Sequence, residues 1–316
     1  MAPLGLARSR ARDARHRRAL AALLAVVLAA GGPSLAVSAA TLPVAASLFG
    51  IAGGAPGEEI LRIPVNEPRG FGNPGAFLEA TLFRPPGAGP FPLAVLSHGS
   101  PREPDRRVGR QRFEPQSRWF VARGFAVVVP MRRGYAGSDG ERAEGYGGCP
   151  EPDFRRAGLE AAKDIGAATR FVAARPDVDP GRIVLVGHSA GGFGSLALAS
   201  QRPAGVLGVV NFAGGRGSVA SGENCAPRRL VEAMGSYGRT TAVPTLWLYA
   251  ENDLFFGPSL AREMHAAFRR GGGAAELLVL PSFGSDGHHL FTLDTGIPHW
   301  APAVDRFLAT LGFRSA

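Results

Sequence analysis

One stretch of the chain, residues 182–200, constrains the fold more than any other. An apolar run at 183–186, rich in β-branched side chains, stops at Gly187 and is followed closely by Ser189. Small residues that favour a helix then extend from 193 to 200. The pattern predicts a buried strand, a sharp turn and a helix, with a G-x-S-x-G motif at the turn.

The residue types at this turn suit a serine nucleophile. A serine hydroxyl attacks well only when a base removes its proton, so its side chain must stand clear of the backbone. A tight strand-to-helix turn achieves this but crowds its neighbours, which explains why residues 187 and 191 are both glycine. The helix that begins at Ala190 directs free N–H groups at the site, where negative charge develops during acyl transfer. The alternative interpretation is a glycine-rich turn whose serine has no catalytic role.

The chain resembles an α/β-hydrolase, with G-H-S-A-G-G at 187–192 as its nucleophile elbow. Within that superfamily it is similar, over residues 60–314, to the dienelactone-hydrolase-like and prolyl-oligopeptidase-like serine hydrolases. The resemblance implies an α/β fold with a mainly parallel central sheet, helices on both faces and a minimal lid. Dienelactone hydrolase itself carries cysteine where Ser189 stands, so its lactone substrate is not implied.

Strand-like and helix-like segments alternate along the chain. Strands of the buried type are predicted at 93–96, 125–129 and 243–250, and an amphipathic helix at 160–174. This alternation indicates a mainly parallel sheet with helices on both faces, so that catalytic residues lie in loops at the carboxyl ends of strands. The glycine-rich segment 213–240 is too short for a lipase-type cap.

The front of the chain has the layout of a secretory signal peptide. Basic residues precede a short apolar run at 19–30, and small residues follow up to a predicted cleavage site before Thr41. Arg17 and Arg18 match twin-arginine export weakly. The alternative is a retained membrane anchor, although the apolar run is shorter than the roughly 20 residues that span a bilayer.

These features predict three regions: a signal peptide at 1–40, an irregular arm at 41–75 and an α/β-hydrolase catalytic domain at 76–316. The formal net charge is +9, and about half of this excess lies in the signal peptide. The remainder is too small to indicate a nucleic-acid partner. We expect no cofactor, no metal and no stable membrane span after cleavage; the oligomeric state stays open.

Export to the periplasm or the extracellular space changes the interpretation of the cysteines. Cys149 and Cys225 are the two in the chain, and both lie in Gly/Pro-rich loops. An even pair in an oxidising compartment predicts a disulfide. The alternative is two free thiols far apart.

The acid and the base of a triad should follow Ser189 in the order that this fold requires, each after its own strand. The resemblance places the acid at Asp253 of E-N-D, with Glu251 as the alternative, and the base at His288 of G-H-H, with His289 as the alternative. Asp286 lies too near the histidine in sequence and is predicted to be structural. His98, His188 and His299 are assigned to the oxyanion loop, the elbow and the surface.

The resemblance also implies an oxyanion hole. A strand at 93–96 opens into S-H-G-S-P at 97–101, where hydrolases of this fold place a backbone donor. That donor would be the N–H of Ser100, or else of Gly99, paired with the N–H of Ala190.

Arginines are concentrated in the loop at 101–118 and again at Arg132 and Arg133. The loop weakly favours anionic substrates, although charged loops are usually only solvated. Arg132 and Arg133 are predicted to bind loop carbonyls rather than substrate.

The main functional hypothesis is an exported serine hydrolase that cleaves small-molecule carboxylic esters through an acyl-enzyme. One alternative is a serine peptidase of the prolyl-oligopeptidase type. Those relatives carry a large β-propeller in front of the catalytic domain, and the roughly 35 residues before the domain predicted here cannot build one. The other alternative is a hydrolase fold that only binds.

Overall fold

The structure, a computed structural model, describes residues 50–51, 57–65, 75–103 and 107–313, all within one compact unit, Ala45–Ala316. The predicted signal peptide at 1–40 and its cleavage site lie outside the described residues. None of the helices in the described part of the chain is long and apolar enough to cross a membrane.

A central sheet organises the described residues, and nine of their strands belong to it in the order β1-β2-β3-β5-β4-β6-β7-β10-β11. β1, β2, β3 and β5 pair antiparallel, whereas β5, β4, β6, β7, β10 and β11 run parallel. Two short strands, β8 and β9, form a separate antiparallel pair. The strands are β1 (Gly50–Ile51), β2 (Glu58–Pro64), β3 (Phe77–Phe83), β4 (Phe91–Ser97), β5 (Ala126–Pro130), β6 (Val178–His188), β7 (Val206–Phe212), β8 (Ser218–Ala220), β9 (Glu223–Asn224), β10 (Thr245–Ala250) and β11 (Ala275–Leu280).

Helices cover both faces of this sheet. Successive side chains of a strand point to opposite faces, so in β4 Leu93 and Val95 pack in one core while Ala94 and Leu96 pack in the other. The first core is closed by α2, α3, α4 and α5, and the second by α1 and α6. The helices are α1 (Glu114–Val121), α2 (Phe154–Ala173), α3 (Ala190–Ala199), α4 (Pro227–Gly238), α5 (Pro258–Arg270) and α6 (Ile297–Thr310). The predicted fold class is confirmed.

The prediction of an irregular arm over 41–75 is wrong for β2, which lies inside that range. β2 pairs along its whole length with β3, from Glu58 opposite Phe83 to Pro64 opposite Phe77. Leu61 and Ile63 are buried, while Arg62 between them is exposed. The period-two alternation was present in the sequence, but the surrounding glycine and proline residues concealed it.

Two other segments differ from expectation without changing the architecture. α2 begins at Phe154, six residues before the predicted helix at 160–174, because the side chain of Asp153 caps it by accepting a hydrogen bond from the N–H of Arg156. The segment 213–240 contains β8, β9 and the whole of a 12-residue helix, α4.

Candidate active site

Ser189 lies at the junction of β6 and α3 in a strained conformation. Its φ of 55° and ψ of −125° fall where residues with a side chain rarely lie. A methyl group on Gly187 would lie 2.4 Å from the carbonyl oxygen of Gly191, and one on Gly191 would lie 2.2 Å from that of Ser97. Glycine at both positions is therefore a steric requirement of this turn.

Asp253 and His288 form a buried pair beside this turn. Asp253 follows β10, and His288 lies in a short 3-10 helix, Gly287–Leu290, that follows β11. The imidazole Nδ1 lies 3.1 Å from Oδ2 of Asp253 and 3.2 Å from Oδ1. A protonated Nδ1 donating to this carboxylate leaves Nε2 bare, which is the tautomer a general base needs.

The backbone around Asp253 keeps its carboxyl group ionised. The N–H groups of Phe255 and Phe256 donate to Oδ1, at 2.7 and 2.8 Å. Burial would raise the pKa of Asp253, but His288 and these two N–H groups hold it below its usual range. A negative charge therefore lies beside Nδ1 of the His288 imidazole.

Ser189 and His288 open onto one cavity of about 480 Å³, which we call the first cavity; Ser100, His188 and His289 also line it. The His288 ring is held in plane by Phe255, which stacks on it with centroids 3.9 Å apart and planes 12° apart. The guanidinium of Arg102 lies 3.5 Å from the centre of the same phenyl ring. Two groups cannot occupy one face at such distances, so Phe255 lies between Arg102 and His288.

The alternative acid and base lie elsewhere. Glu251 is exposed, and its Oε2 accepts a hydrogen bond from Ser282. His289 is exposed and faces the hydroxyl of Thr292. Asp286 caps the 3-10 helix by accepting from the N–H of His288, and it also accepts from the N–H of Leu254, as a structural residue would.

The predicted oxyanion donors lie near Ser189. Ser100 lines the first cavity with Ser189, and Ala190 is the first residue of α3. A methyl group on Gly99 would lie 3.1 Å from Cβ of Ser189, so the backbone of this loop passes directly against Ser189. The choice between the N–H groups of Ser100 and Gly99 stays a prediction.

The family of the chain follows from its sequence. Residues 74–242, more than half of the 316, match the model of the X-Pro dipeptidyl-peptidase (S15) family. The chain belongs to this family. The α/β-hydrolase resemblance is thereby confirmed, and a serine hydrolase is the enzyme class that the sequence predicts for it.

Solved structures share the fold of this S15-family chain at low sequence identity. Esterase 2 of Thermogutta terrifontis is 17% identical, with a TM-score of 0.57 over 83% of this chain and 96% of that one. Acetyl xylan esterase 1 from Thermoanaerobacterium sp. is 18% identical, with a TM-score of 0.54 over 83% of this chain and 86% of that one. Among curated proteins, Cutinase est2 of Thermobifida alba is 45% identical over 53 residues, which is 17% of this chain and 18% of the cutinase.

A second buried ionic group, which we call the arginine–glutamate cluster, was not predicted: Arg132, Glu144 and Arg216. Oε2 of Glu144 lies 2.5 Å from Nε of Arg132 and 2.8 Å from Nη2 of Arg216. Tyr135 and Ser100 donate to Oε1 of the same carboxylate, at 2.7 and 2.9 Å. Burial would raise the pKa of Glu144, but the charges of Arg132 and Arg216 hold it well below its usual range.

The paired arginines also bind carbonyl groups, as predicted. Arg132 Nη1 donates to the carbonyl oxygen of His98 at 2.6 Å, and Arg133 Nη2 donates to that of Glu160 at 3.2 Å. Arg133 additionally forms an ion pair with Asp164. The sequence indicated arginines in this loop but not the ion pairs of the cluster. Those pairs join distant parts of the chain: Glu144 and Arg216, for example, are 72 residues apart in two irregular loops.

Two buried histidines adjoin the site and remain neutral. Nε2 of His98 accepts the N–H of Arg132, and Nδ1 faces the carbonyl of Gly99. His188 Nε2 lies 2.9 Å from the carbonyl oxygen of His288, so it carries the proton. Burial, with the neighbouring charges, lowers the pKa of each ring to about 3. His299 is exposed, as predicted.

Part of the arginine-rich loop is neutralised. Arg110 and Arg112 form ion pairs with Glu58 of β2, and Arg118 pairs with Glu114. Arg102 and Arg107 line the first cavity. The positive charge that reaches the site is therefore smaller than the sequence suggested.

The predicted disulfide between Cys149 and Cys225 is present, with Cα atoms 5.6 Å apart. It joins the loop that carries Glu144 to the segment that carries Arg216. Within the described residues, no group of three or more His, Cys, Asp or Glu side chains is arranged to hold a metal ion.

Proposed function

We propose that this chain is an exported serine hydrolase that cleaves carboxylic esters through an acyl-enzyme on Ser189. One observation supports it above all: a strained elbow serine opens onto the same cavity as His288, which forms a buried pair with Asp253. The chemistry needs these three groups in series.

In the proposed mechanism Nε2 of His288 takes the proton of Ser189 while Oγ attacks the ester carbonyl carbon. The resulting oxyanion accepts hydrogen bonds from the N–H groups of Ala190 and Ser100. The imidazolium then returns its proton to the leaving alcohol as the C–O bond breaks. Water, deprotonated by the same imidazole, cleaves the acyl-enzyme and restores Ser189. Asp253 stabilises the imidazolium throughout.

A serine peptidase is the second candidate, because the family to which the chain belongs is described as X-Pro dipeptidyl-peptidase. Ester cleavage is favoured here by the match to a cutinase over 53 residues and by the esterases among the structures that share the fold. A p-nitrophenyl ester assayed beside an Xaa-Pro-p-nitroanilide separates the two. Turnover of the anilide at the same kcat/KM as the ester would overturn the preference for esters.

Export is supported by the signal-like residues at 1–40 and by the Cys149–Cys225 disulfide, which an oxidising compartment maintains. We propose a periplasmic or extracellular protein with a signal peptide at 1–40. Its catalytic domain covers 76–316 and includes β2, upstream of that range, as part of its sheet. Sequencing the N-terminus of the protein recovered outside the cytoplasm tests this. A start before the apolar run at 19–30 would contradict cleavage.

The triad is tested by Ser189→Ala with Ser200→Ala as the matched control. Ser200 is the C-cap residue of α3, and its hydroxyl donates to the carbonyl of Ala197. Replacing Ser189 should lower kcat for a p-nitrophenyl ester by about 10⁵-fold and abolish labelling by a fluorophosphonate, with the fold unchanged by circular dichroism. Unchanged hydrolysis by that variant would overturn the assignment. A wild-type protein that neither hydrolyses esters nor takes the label would instead indicate a fold used only for binding.

A further inference from the structure

A second cavity, of about 330 Å³, also opens onto Ser189. Ser189 and Phe255 line both cavities, whereas His288 and His289 line only the first, and Ala190, Tyr146 and Phe256 line only the second. Ser100, Pro101 and Arg102 also line both cavities, so Ser189 lies where the two spaces meet, with the stacked Phe255 at the same boundary.

The position of the base assigns a role to each space. In the proposed reaction His288 must deliver a proton to the departing alcohol, so the leaving group has to lie on the His288 side. The oxyanion points to the N–H groups at the start of α3 and in the 97–101 loop. The acyl chain, which is the remaining substituent of the tetrahedral carbon, then lies in the second cavity.

We propose that the second cavity holds the acyl group of the substrate and rejects acyl groups that carry a positive charge. This inference rests on the proposed function and names the substrate class more narrowly: uncharged acyl groups rather than aminoacyl or dipeptidyl groups.

The charges of the residues that line the second cavity favour the rejection of cationic acyl groups. Arg142 and Arg216 line only the second cavity, and Arg102 lines both cavities; Glu144 is the one carboxylate among the described residues that line the second. That carboxylate already forms ion pairs with Arg216 and with Arg132. The side chains of Arg216 and Glu144 are only 5% and 6% exposed, so water screens them weakly. Among the described residues, the charges at this cavity are therefore positive on balance, because Arg132 and Arg216 share the single carboxylate of Glu144 and Arg102 adds a further positive charge.

A substrate with a free N-terminus would place its ammonium in this space. A dipeptidyl group spans about 7 Å from the scissile carbonyl to its N-terminal nitrogen. Recognition of that ammonium would require a carboxylate without a cationic partner, and Glu144 has two. The cavity thus disfavours the substrates of an enzyme that removes N-terminal dipeptides.

The experiment compares two esters that differ only in one charge. Ethyl 4-(trimethylammonio)butanoate and ethyl 5,5-dimethylhexanoate have acyl groups of the same shape, one cationic and one neutral. We expect kcat/KM for the neutral ester to exceed that for the cationic ester by at least about tenfold. Acetylcholine and 3,3-dimethylbutyl acetate place the same pair of groups on the leaving-group side. They correct for the greater apolarity of the neutral group, and their ratio should be at least about threefold smaller.

Substitutions then locate the charge. Arg216→Gln should move the acyl-side ratio toward one by about threefold or more and leave the leaving-group ratio unchanged, because Arg216 lines only the second cavity. Glu144 keeps Arg132 as its partner in this variant. Arg216→Lys keeps the charge and should keep the ratio. Arg262→Gln, on the exposed side of α5, is the matched control. Arg142→Gln, at a half-buried position of the lining, gives the same test if Arg216→Gln does not fold.

Equal ratios for the two pairs of esters in the wild type would overturn the inference. So would an Arg216→Gln variant, or its Arg142→Gln substitute, that changes both ratios alike or neither. Failure of the wild type to hydrolyse either neutral ester would overturn the proposed function itself, which is a different result.

Discussion

Two buried ionic groups flank Ser189, and they differ in what their charges can do. On the side of the first cavity lies the Asp253–His288 pair, and on the side of the second lies the arginine–glutamate cluster of Arg132, Glu144 and Arg216. Both are nearly inaccessible to water. The pair contains an imidazole, a side chain that can accept and donate a proton, whereas the cluster contains guanidinium groups, which only donate hydrogen bonds.

This difference separates a group that can transfer protons from a group that holds loops in position. A group that exchanges protons in the proposed reaction needs one partner and a free face, which His288 has at the first cavity. The cluster has no free carboxylate oxygen, since hydroxyl and guanidinium groups bind both oxygens of Glu144. Instead it ties together the loop of Ser100, the loop of Tyr135 and the segment after β7. Burial of charge by itself therefore does not identify a catalytic group.

The largest expected effect is on activity, from Asp253→Asn. The amide cannot stabilise the imidazolium and favours the wrong tautomer of His288, so kcat for a p-nitrophenyl ester should fall by about 10⁴-fold while the fold persists. Glu251→Gln, the exposed alternative on the same turn, is the control and should retain activity within about threefold. If Glu251→Gln showed the larger loss, the acid would have been assigned to the wrong residue.

A smaller effect, on stability, is expected from Glu144→Gln. The substitution leaves two buried guanidinium groups without a counter-charge and should lower the free energy of unfolding by about 3–5 kcal/mol, as measured by urea denaturation. Glu114→Gln removes a carboxylate from an exposed pair with Arg118 and should leave the urea midpoint in place. A Glu144→Gln variant as stable as the wild type would show that the cluster does not hold these loops together.

The smallest effect concerns pH, because each ionic group has a buried neutral histidine beside it. Free histidine takes up a proton near pH 6.5, whereas His98 and His188 have a pKa of about 3. Between these values the unfolded chain binds more protons than the folded one, so stability is lost as the pH falls below 6.5. Each histidine should contribute about 1.4 kcal/mol per pH unit in this window.

His188→Gln tests this, since its amide can still donate to the carbonyl of His288. Urea denaturation at pH 6.0, 5.5 and 5.0 should give a shallower loss of stability than in the wild type, by about 1.4 kcal/mol per pH unit. The exposed His299→Gln variant is the comparison. Parallel curves for wild type and His188→Gln would mean that His188 is not held neutral by its surroundings.

The sequence by itself determined the features that depend on neighbouring residues. The elbow at 187–191 was readable because crowding within one turn requires glycine at 187 and 191, and the structure shows that crowding. Alternating strands and helices determined the parallel sheet, and an even cysteine pair in a chain with a predicted signal peptide indicated the disulfide that forms. The order of Ser189, Asp253 and His288 along the chain followed from the resemblance, and the pairing of the last two is seen.

Tertiary structure alone decided what depends on which loops meet. β2 could not be recognised because its alternation is short and its partner, β3, determines its pairing. The arginine–glutamate cluster joins residues that lie up to 84 positions apart, since Arg132 and Arg216 meet only through Glu144. The division of the space around Ser189 likewise depends on Phe255 stacking on His288, 33 residues further along the chain. Local patterns specify local geometry, whereas contacts between loops arise only once the sheet has brought strand ends to one edge.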